Sequence, residues 1–200
     1  LLLAPTFSEY EKALSAAGCE INFYALKEEN DFALGDDYIN VLEGGYDIVF
    51  LCSPNNPTGG ELSEQCLLEI VTRCKRLGIL PVIDMSFADF SENTVSANVL
   101  AEAGAAVIKA FTKIYAMPAL RLGYMLCCDE ELLGKVSLAG QSWSVNSLAQ
   151  AAGAAALDDS DFIGRTVEYI SRERRFLTEK FGAMGIKTYP AAANFILLKS

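Results

Sequence analysis

The stretch Asp47-Ile48-Val49-Phe50-Leu51-Cys52 decides the fold class. An unbroken apolar run of β-branched and aromatic residues suits a strand buried on both faces, the habit of parallel sheets covered by helices. Ser53 to Gly60 follows as a loop containing Pro54, Pro57, Gly59 and Gly60. Ser63 can then cap a helix whose inner stripe is Leu67, Ile70, Val71, Cys74 and Leu77, with Gly78 ending it. Ile79 to Asp84 is the next apolar run. Strand, helix and strand in that order make one crossover unit of an α/β sheet. Pro81 inside the second run is a local contradiction, tolerable only where its missing donor faces no partner.

The same alternation continues outward. Ala4-Pro5-Thr6-Phe7 is extended, as residues before proline prefer. Ser8-Glu9-Tyr10-Glu11 has the capping-box pattern and opens a helix to about Ala17, which Gly18 ends. Glu20 to Leu26 sets Ile21, Phe23 and Ala25 against polar neighbours, a strand with one wetter face. Asp36 can cap a short helix that Gly44-Gly45 stops. Downstream come a helix from Val95 to Ala103, a strand from Ala105 to Ala110 and another from Leu122 to Cys127. A short helix from Asp129 to Leu138 follows, then an Ala-rich helix capped by Asn146 and running to about Leu157. Ser160 caps a long helix from Asp161 to Met184, and Ile186 to Tyr189 and Phe195 to Leu198 are two final strands.

The expectation is therefore α/β, a mostly parallel sheet with flanking helices over residues 1–157, and the beginning of a smaller α+β unit over residues 158–200. The chain opens on Leu and stops just after a strand-like run, so it reads as an excerpt with both units incomplete.

Composition bounds the function. At 200 residues the chain can bury roughly 70% of its unfolded surface and needs no disulfide or metal staple. Net charge is −10, which disfavours nucleic acid and anionic membranes as partners. No apolar run reaches the roughly eighteen residues of a membrane span, and Leu1-Leu2-Leu3-Ala4 is too short and lacks the basic flank of a signal peptide. The absence of histidine removes Ser-His-Asp and Cys-His catalysis and every His-containing metal site. The six cysteines form no C-x-x-C and mostly sit in apolar runs, so no metal site is expected and a reducing cytoplasm fits.

Ligands of open α/β sheets bind outside the carboxyl ends of the strands. One strand ends there in Ser53-Pro54-Asn55-Asn56-Pro57-Thr58-Gly59, whose prolines and glycine fix the backbone and aim the Asn56 amide. A second ends in Asp84. A third leads into Ile108-Lys109-Ala110-Phe111-Thr112-Lys113, then a loop between two buried strands in which Pro118 forbids a regular helix, then Arg121. Each piece alone has an ordinary explanation: Asn-Pro is turn chemistry, a strand-end Asp can cap a helix, and loop cations are solvated. Together they offer an amide, a carboxylate, an amine and a guanidinium on one rim. Pyridoxal 5′-phosphate needs that set: a carboxylate beside its pyridine nitrogen, a donor at its phenolic oxygen, a lysine for its aldehyde, and an Arg fork with hydroxyls for its phosphate.

From Phe7 to about Ser200 the chain resembles the aspartate-aminotransferase superfamily, the fold-type I pyridoxal-phosphate enzymes. The resemblance is carried by Pro5-Thr6-Phe7, Asn55-Asn56-Pro57-Thr58-Gly59, Asp84, and Thr112-Lys113 followed by Arg121 and Gly123. It implies Lys113 as the Schiff-base lysine and proton-transfer group. It further implies Asp84 at the pyridine nitrogen, Asn56 at the 3-oxygen and the substrate, Arg121 and Thr112 at the phosphate, and Phe7 stacked on the ring. Phe7 could equally staple the first helix.

The chain departs from the family at Asp84-Met85-Ser86-Phe87, where Asp-Glu-Ala-Tyr or Asp-Glu-Ala-Phe is usual, and at Ala110, where a Ser or Thr is usual. Phe87 offers no phenol to the 3-oxygen. Ala110 removes a phosphate hydroxyl worth about 1–2 kcal/mol. The family's phosphate turn is expected upstream of Leu1 and its carboxylate-binding arginine downstream of Ser200.

Within the superfamily, Trp143-Ser144-Val145-Asn146-Ser147-Leu148-Ala149 and the run from Lys113 to Tyr124 are similar to the branch of histidinol-phosphate aminotransferases and threonine-phosphate decarboxylases, leaning to the decarboxylases. The resemblance implies decarboxylation of L-threonine O-3-phosphate in cobalamin synthesis, by a homodimer. The alternatives are a histidinol-phosphate-type aminotransferase and a truncated, inactive fold that survives as a binding protein.

Overall fold

The structure is a computed structural model that describes residues 1–93 and 95–199; Ser200, the last residue of the second expected unit, lies outside them. Leu2–Ala4 (β1), Phe23–Ala25 (β2), Ile48–Cys52 (β3), Leu80–Asp84 (β4), Ala106–Ala110 (β5) and Gly123–Leu126 (β6) form one sheet. Its order is β2-β1-β3-β4-β5-β6, parallel from β1 to β5, with β6 antiparallel to β5. One rim of the sheet therefore carries the ends of β1, β3, β4 and β5, at Ala4, Cys52, Asp84 and Ala110. There β6 begins, with Gly123 opposite Ala110.

The helices are Ser8–Ala16 (α1), Tyr38–Val41 (α2), Glu64–Leu77 (α3), Ala97–Ala103 (α4), Phe111–Ile114 (α5), Glu130–Ala139 (α6), Ser147–Asp158 (α7) and Phe162–Ala183 (α8). Beyond α8, Lys187–Thr188 (β7) and Leu198–Lys199 (β8) pair antiparallel as a separate two-stranded sheet. The main core lies between the sheet and α3. Leu67, Ile70, Val71 and Cys74 are fully buried with Val49, Leu51, Ile83 and Val107. Leu77, read as part of that stripe, is 41% exposed, because it lies in the last turn, where Gly78 (φ 70°) reverses the chain.

Pro81 sits in the central strand β4 without conflict. Amides alternate sides along a strand: Leu80 N donates to Asp47 O, on the β3 side, and Met85 N donates to Ile108 O, on the β5 side. The Pro81 position faces β5, whose paired register begins only at Val82↔Ala106. The missing donor falls where no acceptor is waiting.

Among the described residues Ser63, Ser96, Asp129 and Asn146 cap helices, accepting from the amides of Cys66, Val99, Leu132 and Ala149. Three expected caps are absent. Phe7, extended at ψ 120°, is the N-cap of α1, so Ser8 lies inside the first turn and forms no capping box. At α2 the N-cap position falls on Asp37 rather than Asp36, and the Asp37 carboxylate accepts from the Tyr24 hydroxyl instead. Asp161, not Ser160, precedes α8, and it makes no capping bond.

Two strand readings also change. Leu2–Ala4, in a stretch too short for a signal peptide and not expected as a strand, is β1 inside the sheet, with Leu2 and Leu3 buried between β2 and β3. In β2 the phase is the reverse of that expected: Tyr24 and Leu26 join the main core, while Phe23 is 49% exposed. Ile21 packs on the opposite sheet face with Leu2 and Tyr10. An edge strand with apolar residues in both phases has no locally decided inside.

Gly59 ties the loop after β3 to the segment before β8: its carbonyl accepts from Ala192 N at 2.8 Å and its amide donates to Asn55 O at 2.7 Å. At φ +78° an added Cβ would lie 2.6 Å from Ala191 Cβ and 3.1 Å from Ala191 Cα. Gly59→Ala is expected to destabilise the protein by at least about 1–2 kcal/mol from the left-handed backbone alone, read as a lower urea midpoint at unchanged slope.

Among the described residues no helix is long and apolar enough to cross a membrane, and all six cysteines are free.

Candidate active site

Asp84 is the last residue of β4, and both of its oxygens are engaged: Oδ1 accepts from Ser86 N at 2.8 Å, and Oδ2 accepts from the Tyr10 hydroxyl at 2.6 Å. Burial, and after it the neighbouring Cys52 and Asp84, push the Tyr10 phenol well above its ordinary range, so it remains a donor. Burial likewise pushes the Cys52 thiol up to about 12. That thiol points to Pro54 O at 3.2 Å. Cys52 is an inert part of the rim.

The two adjacent asparagines do different work. Asn55 is buried and fully committed: Nδ2 donates to Pro5 O and Thr58 Oγ1, each at 3.0 Å, and Oδ1 accepts from Thr6 Oγ1 at 2.9 Å. It locks the loop after β3 to the loop after β1, the loop that carries Phe7. Asn56 is half-buried, and its side-chain amide makes no hydrogen bond among the described residues. The peptide bonds Ala4–Pro5, Ser53–Pro54 and Asn56–Pro57 are cis.

The segment after β5 is not the plain loop expected from Pro118. Phe111–Ile114 forms the helical turn α5, Pro118–Leu120 forms a 3₁₀ turn, and Arg121 follows in the left-handed region at φ 57°. Nor are both flanking strands buried: β6 is an edge strand whose first half is exposed, Tyr124 at 44%. Gly123 is required there, since a Cβ would come within 2.8 Å of Lys109 O where β6 meets β5. Phe111 N, at the start of α5, donates to Leu122 O at 3.1 Å, which ties the residue after Arg121 to that turn.

The Lys113 ammonium lies over the Phe87 ring, 5.5 Å from its centroid, and Phe87 is held edge-on by Phe195 at 5.1 Å. Arg121 is exposed, and its Nη1 donates to Pro118 O at 3.1 Å. Among the described residues neither Lys113 nor Arg121 has a carboxylate partner, whereas Lys109 pairs with Asp89. Thr112 Oγ1 is buried and makes no hydrogen bond among the described residues, and a buried polar group left unpaired by the protein calls for an explanation. Phe7 is 42% exposed at the rim and meets Tyr10 of α1 edge-on at 5.5 Å; as the N-cap it stands one position past the residue that a hydrophobic staple uses. A cavity of about 560 Å³ bounded by Leu3, Leu26, Phe32 and Ala191 reaches Asn55, but Asp84, Lys113 and Arg121 do not line it.

Phe7, Asn56, Asp84, Thr112, Lys113 and Arg121 are legible in the sequence as candidates; Tyr10 and Asn55 are not. Asn55 was visible only as the neighbour of Asn56. Tyr10 carried no signal beyond a place in the supposed capping box.

The family model for aminotransferases of class I and II matches residues 1–200. The chain belongs to that family. Over 203 residues it is 36% identical to the threonine-phosphate decarboxylase of Salmonella typhimurium, covering 100% of this chain and 56% of that protein. It is 33% identical over 195 residues to the histidinol-phosphate aminotransferase of Methanosarcina mazei, covering 97% of this chain and 50% of the other. The structure superposes on the histidinol-phosphate aminotransferase of Clostridium acetobutylicum with a TM-score of 0.91 at 25% identity, over 99% of this chain and 60% of the other. The chain thus spans about half the length of the relatives it matches.

Class I and II aminotransferases depend on pyridoxal phosphate, and the side chains on this rim fit that group. Among the described residues Arg121 has no carboxylate partner and the buried Thr112 hydroxyl is unpaired, which suits an anion; Lys113 offers an amine to an aldehyde, and Asp84 suits a cationic ring nitrogen. Two positions fit less well: Ala110 has no hydroxyl to offer the phosphate, and Phe87 no phenol to offer the 3-oxygen.

Proposed function

We propose that the intact protein carrying this chain decarboxylates L-threonine O-3-phosphate to (R)-1-amino-2-propanol O-2-phosphate, as a step of cobalamin synthesis. The observation that carries the reading is the convergence of Asp84, Asn56 and Lys113 at one sheet rim, with Lys113 and Arg121 free of carboxylate partners among the described residues. The 36% identity to a threonine-phosphate decarboxylase over the whole chain favours this reaction. Histidinol-phosphate transamination is the second reading, favoured by relatives of that name at 29–33% identity.

When bound, pyridoxal phosphate supplies an aldehyde for the substrate amine and a pyridinium that takes up the electron pair released at the α-carbon. The protein does the rest. Asp84, anchored by Ser86 N, keeps the ring nitrogen protonated, since an adjacent anion favours the charged form. The Asn56 amide, uncommitted within the protein, serves the 3-oxygen and the substrate. Phe7, exposed at the rim, would cover the ring face. Arg121, with its fork of donors, and Thr112 hold the phosphate. Lys113, on a short rigid turn against Phe87, delivers or removes the proton at the α-carbon. Residues 1–157 form the cofactor-binding unit in this reading and residues 158–200 the start of the smaller one. The protein is a cytoplasmic homodimer, and neither nucleic acid nor membrane takes part.

Threonine phosphate should release CO2 at a steady rate without any 2-oxo acid. Glutamate formation from 2-oxoglutarate and its partner amino acid is absent if the decarboxylase reading holds. Histidinol phosphate with 2-oxoglutarate giving glutamate instead would select the aminotransferase, and neither activity would leave an inactive fold.

Thr112 separates stability from binding. Thr112→Val removes a buried hydroxyl that has no protein partner, so the ligand-free protein should be unchanged or slightly more stable. Cofactor affinity should fall by about 1.5–3 kcal/mol, as for a lost hydrogen bond to a charged group. Thermal unfolding and equilibrium dialysis on the same preparation check both signs.

A further inference from the structure

We infer that Tyr10 is the positioning residue of Asp84: its hydroxyl fixes the carboxylate that serves the cofactor's ring nitrogen. The inference rests on the cofactor reading above. A carboxylate at a strand end can turn about its terminal torsion, whose well is broad and roughly two-fold. Here it is held from two sides. Ser86 N, in its own chain segment, takes Oδ1, and the Tyr10 hydroxyl, from α1 and 74 residues distant in sequence, takes Oδ2 at 2.6 Å.

The donor is itself fixed. The Tyr10 ring stacks on Phe50 at 4.3 Å and 28°, meets Phe7 edge-on, and lies only 8% exposed against Leu2 and Cys52. A phenol inside such an apolar cluster needs a partner for its hydroxyl, and Asp84 is that partner. The nearby Cys52 thiol already points to Pro54 O. The first turn of α1 thus joins the residue assigned to the cofactor's face, Phe7, to the residue that orients its ring-nitrogen partner.

The test uses the intact protein and two ligands: pyridoxal phosphate, and its 1-deaza analogue, in which C–H replaces the ring nitrogen. Tyr10→Phe keeps the aromatic packing and removes only the hydroxyl. If Tyr10 acts through Asp84, the variant binds pyridoxal phosphate about tenfold more weakly and holds the deaza analogue within about twofold of wild type. In an Asp84→Asn background the same substitution should then change neither affinity further. Equal weakening of both ligands, no weakening of either, or the same loss in the Asp84→Asn background would overturn the inference. A wild-type protein that binds both ligands equally would instead sink the pairing of Asp84 with the ring nitrogen, and the Tyr10 inference with it.

Discussion

Lys113→Ala in the intact protein is expected to lower turnover by at least on the order of 10²–10⁴-fold, the share that a positioned proton-transfer group contributes by itself. Loss of the covalent anchor adds to that. Lys113→Arg is the informative companion. It keeps a cation over the Phe87 ring, 5.5 Å away in the wild type, but a guanidinium does not give up its proton in proteins. The arginine variant should therefore be as inactive as the alanine variant. Neither should unfold the protein, because Lys113 is only half-buried and pairs with no carboxylate among the described residues. Borohydride reduction in the presence of pyridoxal phosphate, followed by peptide mass analysis, should place the cofactor on the Lys113 peptide in wild type and leave it off in both variants. Retention of a tenth or more of the activity in either one would remove Lys113 from its role.

Asp84 should show two separable losses. Asp84→Ala deletes the partner of a cationic ring nitrogen, a change that costs about 2–5 kcal/mol of affinity, or roughly thirtyfold to several thousandfold. It also leaves the Tyr10 hydroxyl, now bonded at 2.6 Å, buried without its acceptor. That costs about a further 1–3 kcal/mol of folding stability. Asp84→Asn keeps an oxygen for Tyr10 but not the negative charge, so it should retain most of the stability and lose the affinity. Urea unfolding and cofactor dialysis on the two variants distinguish a carboxylate that supports the fold from one that serves a ligand. If Asp84→Asn binds pyridoxal phosphate like wild type, Asp84 has no part in holding the ring.

Much of the architecture could be read locally. The run from Ile48 to Cys52 and the stripe Leu67, Ile70, Val71 and Cys74 became β3 and α3 as expected, since burial on both faces and burial on one face leave different periodicities. The errors cluster where the decisive contact is distant. Ser8 has a capping pattern, yet Phe7 takes the N-cap because the chain leaves β1 extended through it. The Asp37 carboxylate bonds Tyr24 rather than a helix amide. Leu2–Ala4 is too short to show a period, and it is a strand only by fitting between β2 and β3.

The candidate site divides along the same line. Residue types and loop chemistry were enough to select Phe7, Asn56, Asp84, Thr112, Lys113 and Arg121, because a carboxylate, an amide, an amine and a guanidinium at strand ends are chemically conspicuous wherever they point. Only the tertiary structure decided which of the neighbouring polar groups are spent inside the protein. It spends Asn55 on Pro5, Thr6 and Thr58, and Lys109 on Asp89. Among the described residues it leaves Asn56, Lys113 and Arg121 without such partners, and it gives Asp84 a phenol from the first helix. Periodicity and turn chemistry are local properties, and a sequence carries them openly. Hydrogen-bond satisfaction is a property of whichever groups the fold brings within about 3 Å, and for Tyr10 and Asp84 those groups are 74 residues apart.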